Sequence, residues 1–141
     1  MMPLSTPRNS CGCPKLYMAA GLAFSFCTSF AATQPVRLQC QLFAGGEDHQ
    51  LVFLPTVSPY TVKPTDLERF RFKAVVSQSL GHIEHIKITV SYRTAPQALI
   101  LQQATYLPPF VFNQTLTGRQ QLYSPNLGRE LTYDCSLRGA P

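Results

Sequence analysis

The chain has 141 residues, with 12 basic against 7 acidic side chains, a formal net charge of +5, five cysteines and no tryptophan. It holds no internal repeat and no low-complexity tract, so neither a solenoid nor a disordered linker is expected. Its longest apolar run, residues 16–26, falls short of the roughly 20 residues that span a bilayer as a helix.

Residues 1–31 read as a cleaved secretory signal peptide. Arg8 and Lys15 supply positive charge, residues 16–26 form an apolar core broken only by Gly21 and Ser25, and Ser29 and Ala31 offer small side chains at −3 and −1 for cleavage before Ala32. Retention of this segment as a membrane anchor is the alternative, and the short core disfavours it. A lipoprotein is disfavoured too, because bulky Phe26 precedes Cys27 where processing requires a small residue. Residues 32–141 then form a single exported domain of ordinary length, periplasmic or secreted. Cys11, Cys13 and Cys27 leave with the signal, so the metal-like Cys11/Cys13 pair makes no mature site. Cys40 and Cys135 remain, and a single pair in an oxidising compartment is expected as a disulfide. The loop they close approaches a hundred residues, for which the chain-entropy account gives about 4.7 kcal/mol.

Both cysteines sit on the apolar phase of alternating segments: Val36, Leu38, Cys40 and Leu42 share one face, as do Leu131, Tyr133, Cys135 and Leu137. The first strand, 36–44, turns at residues 45–48 into 49–54, where the run 51–54 is apolar throughout and reads as buried on both sides. Pro55, Pro59 and Pro64 then make an extended edge or loop, with 60–62 as a brief pairing stretch. Thr65 and Glu68 resemble a capping box, leaving room for at most one helical turn. Phe70, Phe72, Ala74 and Val76 alternate with Arg69, Arg71 and Lys73, a strand with an exposed basic face. After a turn at 77–81, Ile86, Ile88, Val90 and Tyr92 point inward and Lys87, Thr89, Ser91 and Arg93 outward. Ile83 is out of phase with Ile86, which predicts a β-bulge or a turn end between them. Residues 98–105 hold a second run read as buried on both sides, 99–101. Strand character resumes at 110–112 and 116–123, and 130–137 is the last strand. Seven to eight short strands with regular turn signals predict an all-β, small antiparallel β-sandwich of Greek-key or immunoglobulin-like type. The immunoglobulin pattern itself is not matched, since no tryptophan stands against the disulfide.

Three constellations bear on function. His82, Glu84 and His85 are side chains that bind zinc or copper, but residues three apart on a strand face opposite ways unless a bulge turns one of them. Arg69, Arg71, Lys73 and Lys87 make a basic face. In one register Lys73 opposes Lys87, an unfavourable pair that an anionic partner relieves; in the other Thr89 opposes Lys73 and the face is ordinary. Tyr106 and Phe110 flank a stiff Pro-Pro, which suits either a contact loop or closure of one end of the core. No nucleophile motif or marked carboxylate pair is present, and a disulfide leaves no thiolate. The expectation is therefore a non-catalytic, cofactor-free binding or accessory protein of the bacterial envelope, of assembly-factor or inhibitor type. Its partner is an envelope protein or an anionic envelope component, not nucleic acid. A periplasmic metal-binding protein using His82, Glu84 and His85 is the alternative.

Overall fold

Alternation of apolar and polar side chains builds the strands. The computed structural model of the protein describes residues 35–125 and 128–139. In β1 (Arg37–Ala44), Leu38, Cys40, Leu42 and Ala44 are buried while Gln41 and Phe43 face out. Gly45 and Gly46 adopt φ of 63° and 86°, the left-handed conformation a two-residue hairpin turn requires, and the chain reverses directly into β2 (Glu47–Phe53). It then passes through β3 (Pro55–Thr56), a 3-10 turn at Pro59–Thr61, β4 (Thr65–Leu67), β5 (Phe70–Ser79), β6 (His82–Tyr92), β7 (Leu99–Tyr106), β8 (Gln120–Tyr123) and β9 (Glu130–Arg138). The signal-peptide expectation for 1–31 lies outside the described residues. Among the described residues there is no α-helix, and none long and apolar enough to cross a membrane.

Two sheets result. One has the order β2-β1-β9-β8; the other runs β3-β5-β6-β7, with β4 also pairing β5. Only the short β3–β5 pairing is parallel. The inner faces pack on each other in a sandwich-like arrangement. Phe72 of β5 meets Tyr133 of β9 edge-on at 5.3 Å between ring centroids, and Phe53 of β2 at 6.0 Å. Leu38, Leu42, Phe70, Phe72, Ile86, Ile88, Val90, Leu131 and Tyr133 all belong to this one core. The expected staple is present: Cys40 and Cys135 are register partners of β1 and β9, their Cα atoms 4.0 Å apart, joined by a disulfide. It therefore ties neighbouring strands of one sheet, not one sheet to the other.

Several local expectations are corrected. The runs 51–54 and 99–101 are not buried on both sides: Val52, Leu54, Leu99 and Ile100 are 51%, 63%, 47% and 60% exposed. β2 and β7 are the end strands of their sheets, so each lacks a neighbour on one side as well as a covering layer outside. Residues 60–62 do not pair, because Ser58 accepts hydrogen bonds from both the backbone and the hydroxyl of Thr61 and closes a 3-10 turn. Thr65–Leu67 is a strand instead of a helical turn; Glu68, at φ 55°, starts the tight turn that pairs Leu67 with Phe70. Arg69 lies in that turn and not on the strand. Residues 110–112 form no strand, and before β8 only Thr115 bridges to Ser136.

The predicted bulge is found. Gln78 opposes Ile83 but Ser77 opposes His85, which leaves Glu84 as the extra residue. Its consequence reaches up the hairpin: Lys73 opposes Thr89, and Lys87 opposes Val75. The like-charge opposition of Lys73 and Lys87 does not occur.

Candidate functional site

The outer face of the five-stranded sheet collects the chemistry. Arg71, Lys73, Val75 and Ser77 of β5 point outward, since the alternate residues Phe70, Phe72, Ala74 and Val76 fill the core. Opposite them on β6 stand Ser91, Thr89, Lys87 and His85, and β7 adds Gln103 beside Thr89. Lys73 and Lys87 are thus diagonal neighbours, at a backbone separation of about 7–8 Å that long side chains easily bridge. The Pro59–Thr61 turn lies against β5 on this side. It makes the wall of a groove of about 330 Å³ lined by Pro59, Tyr60, Lys73, Val75, Ser77, His85, Lys87, Thr89 and Gln103. Val75 and Ser77 are buried despite their outward phase, and Lys73, Lys87 and His85 are half-buried where open exposure was expected.

The basic face divides in two. At one end Arg71 Nε donates to Asp66 Oδ1 at 2.7 Å, and Arg93 Nη1 lies 3.7 Å from Asp66 Oδ2. The Arg71 hydrogen bond holds the Asp66 carboxyl below its ordinary value against the opposing desolvation, and the charges of Arg71 and Arg93 add lesser contributions in the same downward direction. Arg69 stands apart at the β4–β5 turn, where its carbonyl accepts the Arg93 amide at 2.8 Å. At the other end Lys73 and Lys87 face the groove, and no carboxylate among the described residues pairs with either. Beneath them the Ser77 hydroxyl is buried with no hydrogen-bond partner. Two ammonium groups with no carboxylate partner, together with an imidazole, Thr89 and Gln103, line one depression over a buried hydroxyl that has no hydrogen-bond partner, an arrangement suited to holding an anion.

The remaining expected residues lie elsewhere. The register puts His82 opposite Ser79, on the same outward phase as His85, because Glu84 takes up the bulge. His82 and Glu84 are exposed, and no group of three or more metal-ligating side chains assembles among the described residues. Tyr106 and Phe110 are half-buried and pack against the core, so both help close it. Sequence reasoning missed Ser77, which it assigned to the hairpin turn, and Tyr60, which it placed in a pairing stretch. The outward phase shared by Lys73, Val75 and Ser77 was the available signal for the first; the second depends on how the proline-rich segment folds back. No family model matches the chain, and no curated protein or solved structure matches it either.

Proposed function

We propose that this is an exported, disulfide-stapled accessory or binding protein of a bacterial envelope, which works by holding an anionic envelope component on the outer face of its five-stranded sheet and not by catalysis. In this reading residues 1–31 are a cleaved signal and the domain is a Greek-key type sandwich, in keeping with the return of β9 beside β1. The observation that carries the proposal is the contrast along one face: Arg71 is neutralised by Asp66, whereas Lys73 and Lys87 line one groove with no carboxylate partner among the described residues. Half-buried cations that share a depression repel each other, and an anionic ligand relieves that repulsion.

Capture of envelope components by the protein, purified without reductant, tests this. Binding weakens with salt as the Debye length falls from about 10 Å at 0.1 M to about 3 Å at 1 M. The double variant Lys73→Glu/Lys87→Glu loses it while keeping the wild-type melting temperature, since both side chains lie on the outward phase. Undiminished capture by that variant overturns the proposal.

A further inference from the structure

We infer that the groove receives a phosphate monoester, its phosphoryl group held by Lys73, Lys87 and Ser77 and its organic part lying along Pro59 and Tyr60; this rests on the outer face being the binding surface. Four observations converge. First, a phosphate monoester carries about −1.5 to −2 charges at pH 7, which two ammoniums match and a carboxylate does not. Second, the donors available are of the right shape. Lysine is a compact point charge that approaches a tetrahedral oxyanion from any side and serves as a phosphate ligand, whereas the planar fork of arginine pairs with carboxylate and phosphate alike. The forks at the far end of this face, Arg71 and Arg93, already share Asp66.

Third, Ser77 is only 6% exposed and its hydroxyl has no partner. A buried hydroxyl left unsatisfied is unfavourable by about 1–3 kcal/mol; its oxygen is closed off in the free protein, so a side chain lining the groove must shift for an oxyanion between the lysines to supply the missing acceptor. Fourth, the groove is larger than a bare ion needs. About 330 Å³ lies at the lower end of the range for small-molecule sites, roughly 300–1,000 Å³. Beside the polar His85, Thr89 and Gln103, part of its extra lining is apolar: Val75, Pro59 and Tyr60, the last 94% exposed and so available to cover a ligand.

Calorimetric titration of the purified protein with phenyl phosphate, inorganic phosphate and benzoate tests the chemistry. Sedimentation with phosphatidylcholine vesicles, with and without phosphatidic acid, distinguishes a lipid headgroup from a free phosphate as the source. Phenyl phosphate should bind more tightly than inorganic phosphate, and benzoate much more weakly than either. Lys73→Gln and Lys87→Gln should each weaken phenyl phosphate about tenfold. Ser77→Ala should weaken it about fivefold while leaving the melting temperature equal or higher, because that hydroxyl has no partner in the free protein. A purely structural Ser77 would show the reverse. Saturable binding of the soluble esters, or of phosphatidic acid vesicles alone, supports the inference and names the source. Absence of both, benzoate binding as well as phenyl phosphate, or unchanged affinity in both lysine variants overturns it. If envelope capture is lost in Lys73→Glu/Lys87→Glu but neither phosphate probe competes, the phosphate inference fails and the broader binding role stands. If the esters bind at these lysines but capture is indifferent to them, it is the envelope role that fails.

Discussion

The Tyr133 hydroxyl donates to Gln102 Oε1 at 2.7 Å, joining β9 of one sheet to β7 of the other through the core. Gln102 Nε2 in turn donates to Gln120 Oε1 at 3.3 Å, and Gln120 Nε2 to the Thr117 carbonyl at 2.9 Å. A buried phenol is thereby satisfied by a chain of amides that ends at the approach to β8. Such a network rewards one relative placement of the two sheets, because a shift of either leaves a polar group unsatisfied.

Stability at alkaline pH follows from the same residue. Burial raises the pKa of the Tyr133 phenol far above its ordinary value, with a further contribution from Tyr106, and burial raises that of Tyr106 as well. In the unfolded chain both titrate at about pH 10. The stability gained by keeping them protonated is fully present below about pH 10. It declines as pH rises above that, because the unfolded chain releases protons the folded one retains. Thermal melts between about pH 8 and about pH 11 should show this decline. Tyr133→Phe should flatten it, and lose about 1 kcal/mol at neutral pH with the hydrogen bond. An identical alkaline slope in the variant assigns the effect to another group.

Removal of the disulfide should be severe. Cys40→Ala or Cys135→Ala is expected to lower stability by roughly 2–5 kcal/mol, measured by denaturant unfolding under non-reducing conditions. Mass spectrometry of the protein purified without reductant should find no free thiol at either position.

Phe72 is fully buried and touches rings from the opposite sheet on two sides. Phe72→Ala should therefore cost about 3–5 kcal/mol. A loss under about 1 kcal/mol, on a scale where single methyl deletions register, would show that the sheets are not held together there.

Asp66→Asn should release Arg71 and Arg93 from their shared carboxylate and extend the basic face beyond the groove. Capture of anionic vesicles should then strengthen and become steeper in its dependence on salt. Unchanged capture would confine binding to the Lys73 and Lys87 end.

Much of the strand pattern was legible because period-two alternation is a local property. The inward sets Leu38–Leu42, Phe70–Val76, Ile86–Tyr92 and Leu131–Leu137 are read directly from their spacing, and the broken phase between Ile83 and Ile86 reveals the bulge. What alternation does not encode is the neighbour. An apolar run such as 51–54 or 99–101 looks the same in the middle of a sheet and at its end, and both proved to be ends. Register was left open between Lys87 and Thr89 as the partner of Lys73, and the structure takes Thr89: β5 and β6 extend to Ser79 and His82, so only Leu80 and Gly81 turn the chain, and Glu84 then adds one residue to one strand. For the groove, Lys73 and Lys87 were legible by phase. The separation of Arg71 by Asp66, and the presence of Tyr60 at the groove that Val75 lines, depend on contacts between segments that no short-range pattern contains.

The position of the Cys40–Cys135 bond has a mechanical meaning. β1 and β9 are antiparallel neighbours, so Arg37 and Arg138 emerge side by side at one end of the sheet. A pull on both ends of the described chain loads this pair of strands like a zip, one residue pair at a time. Arg37–Arg138, Leu38–Leu137 and Gln39–Ser136 can part, and the next pair is covalent. Tension is then carried by the sulfur bridge, and everything between the two cysteines, the groove included, is left unloaded. A domain built this way can be tugged at Arg37 and Arg138 without disturbing the groove.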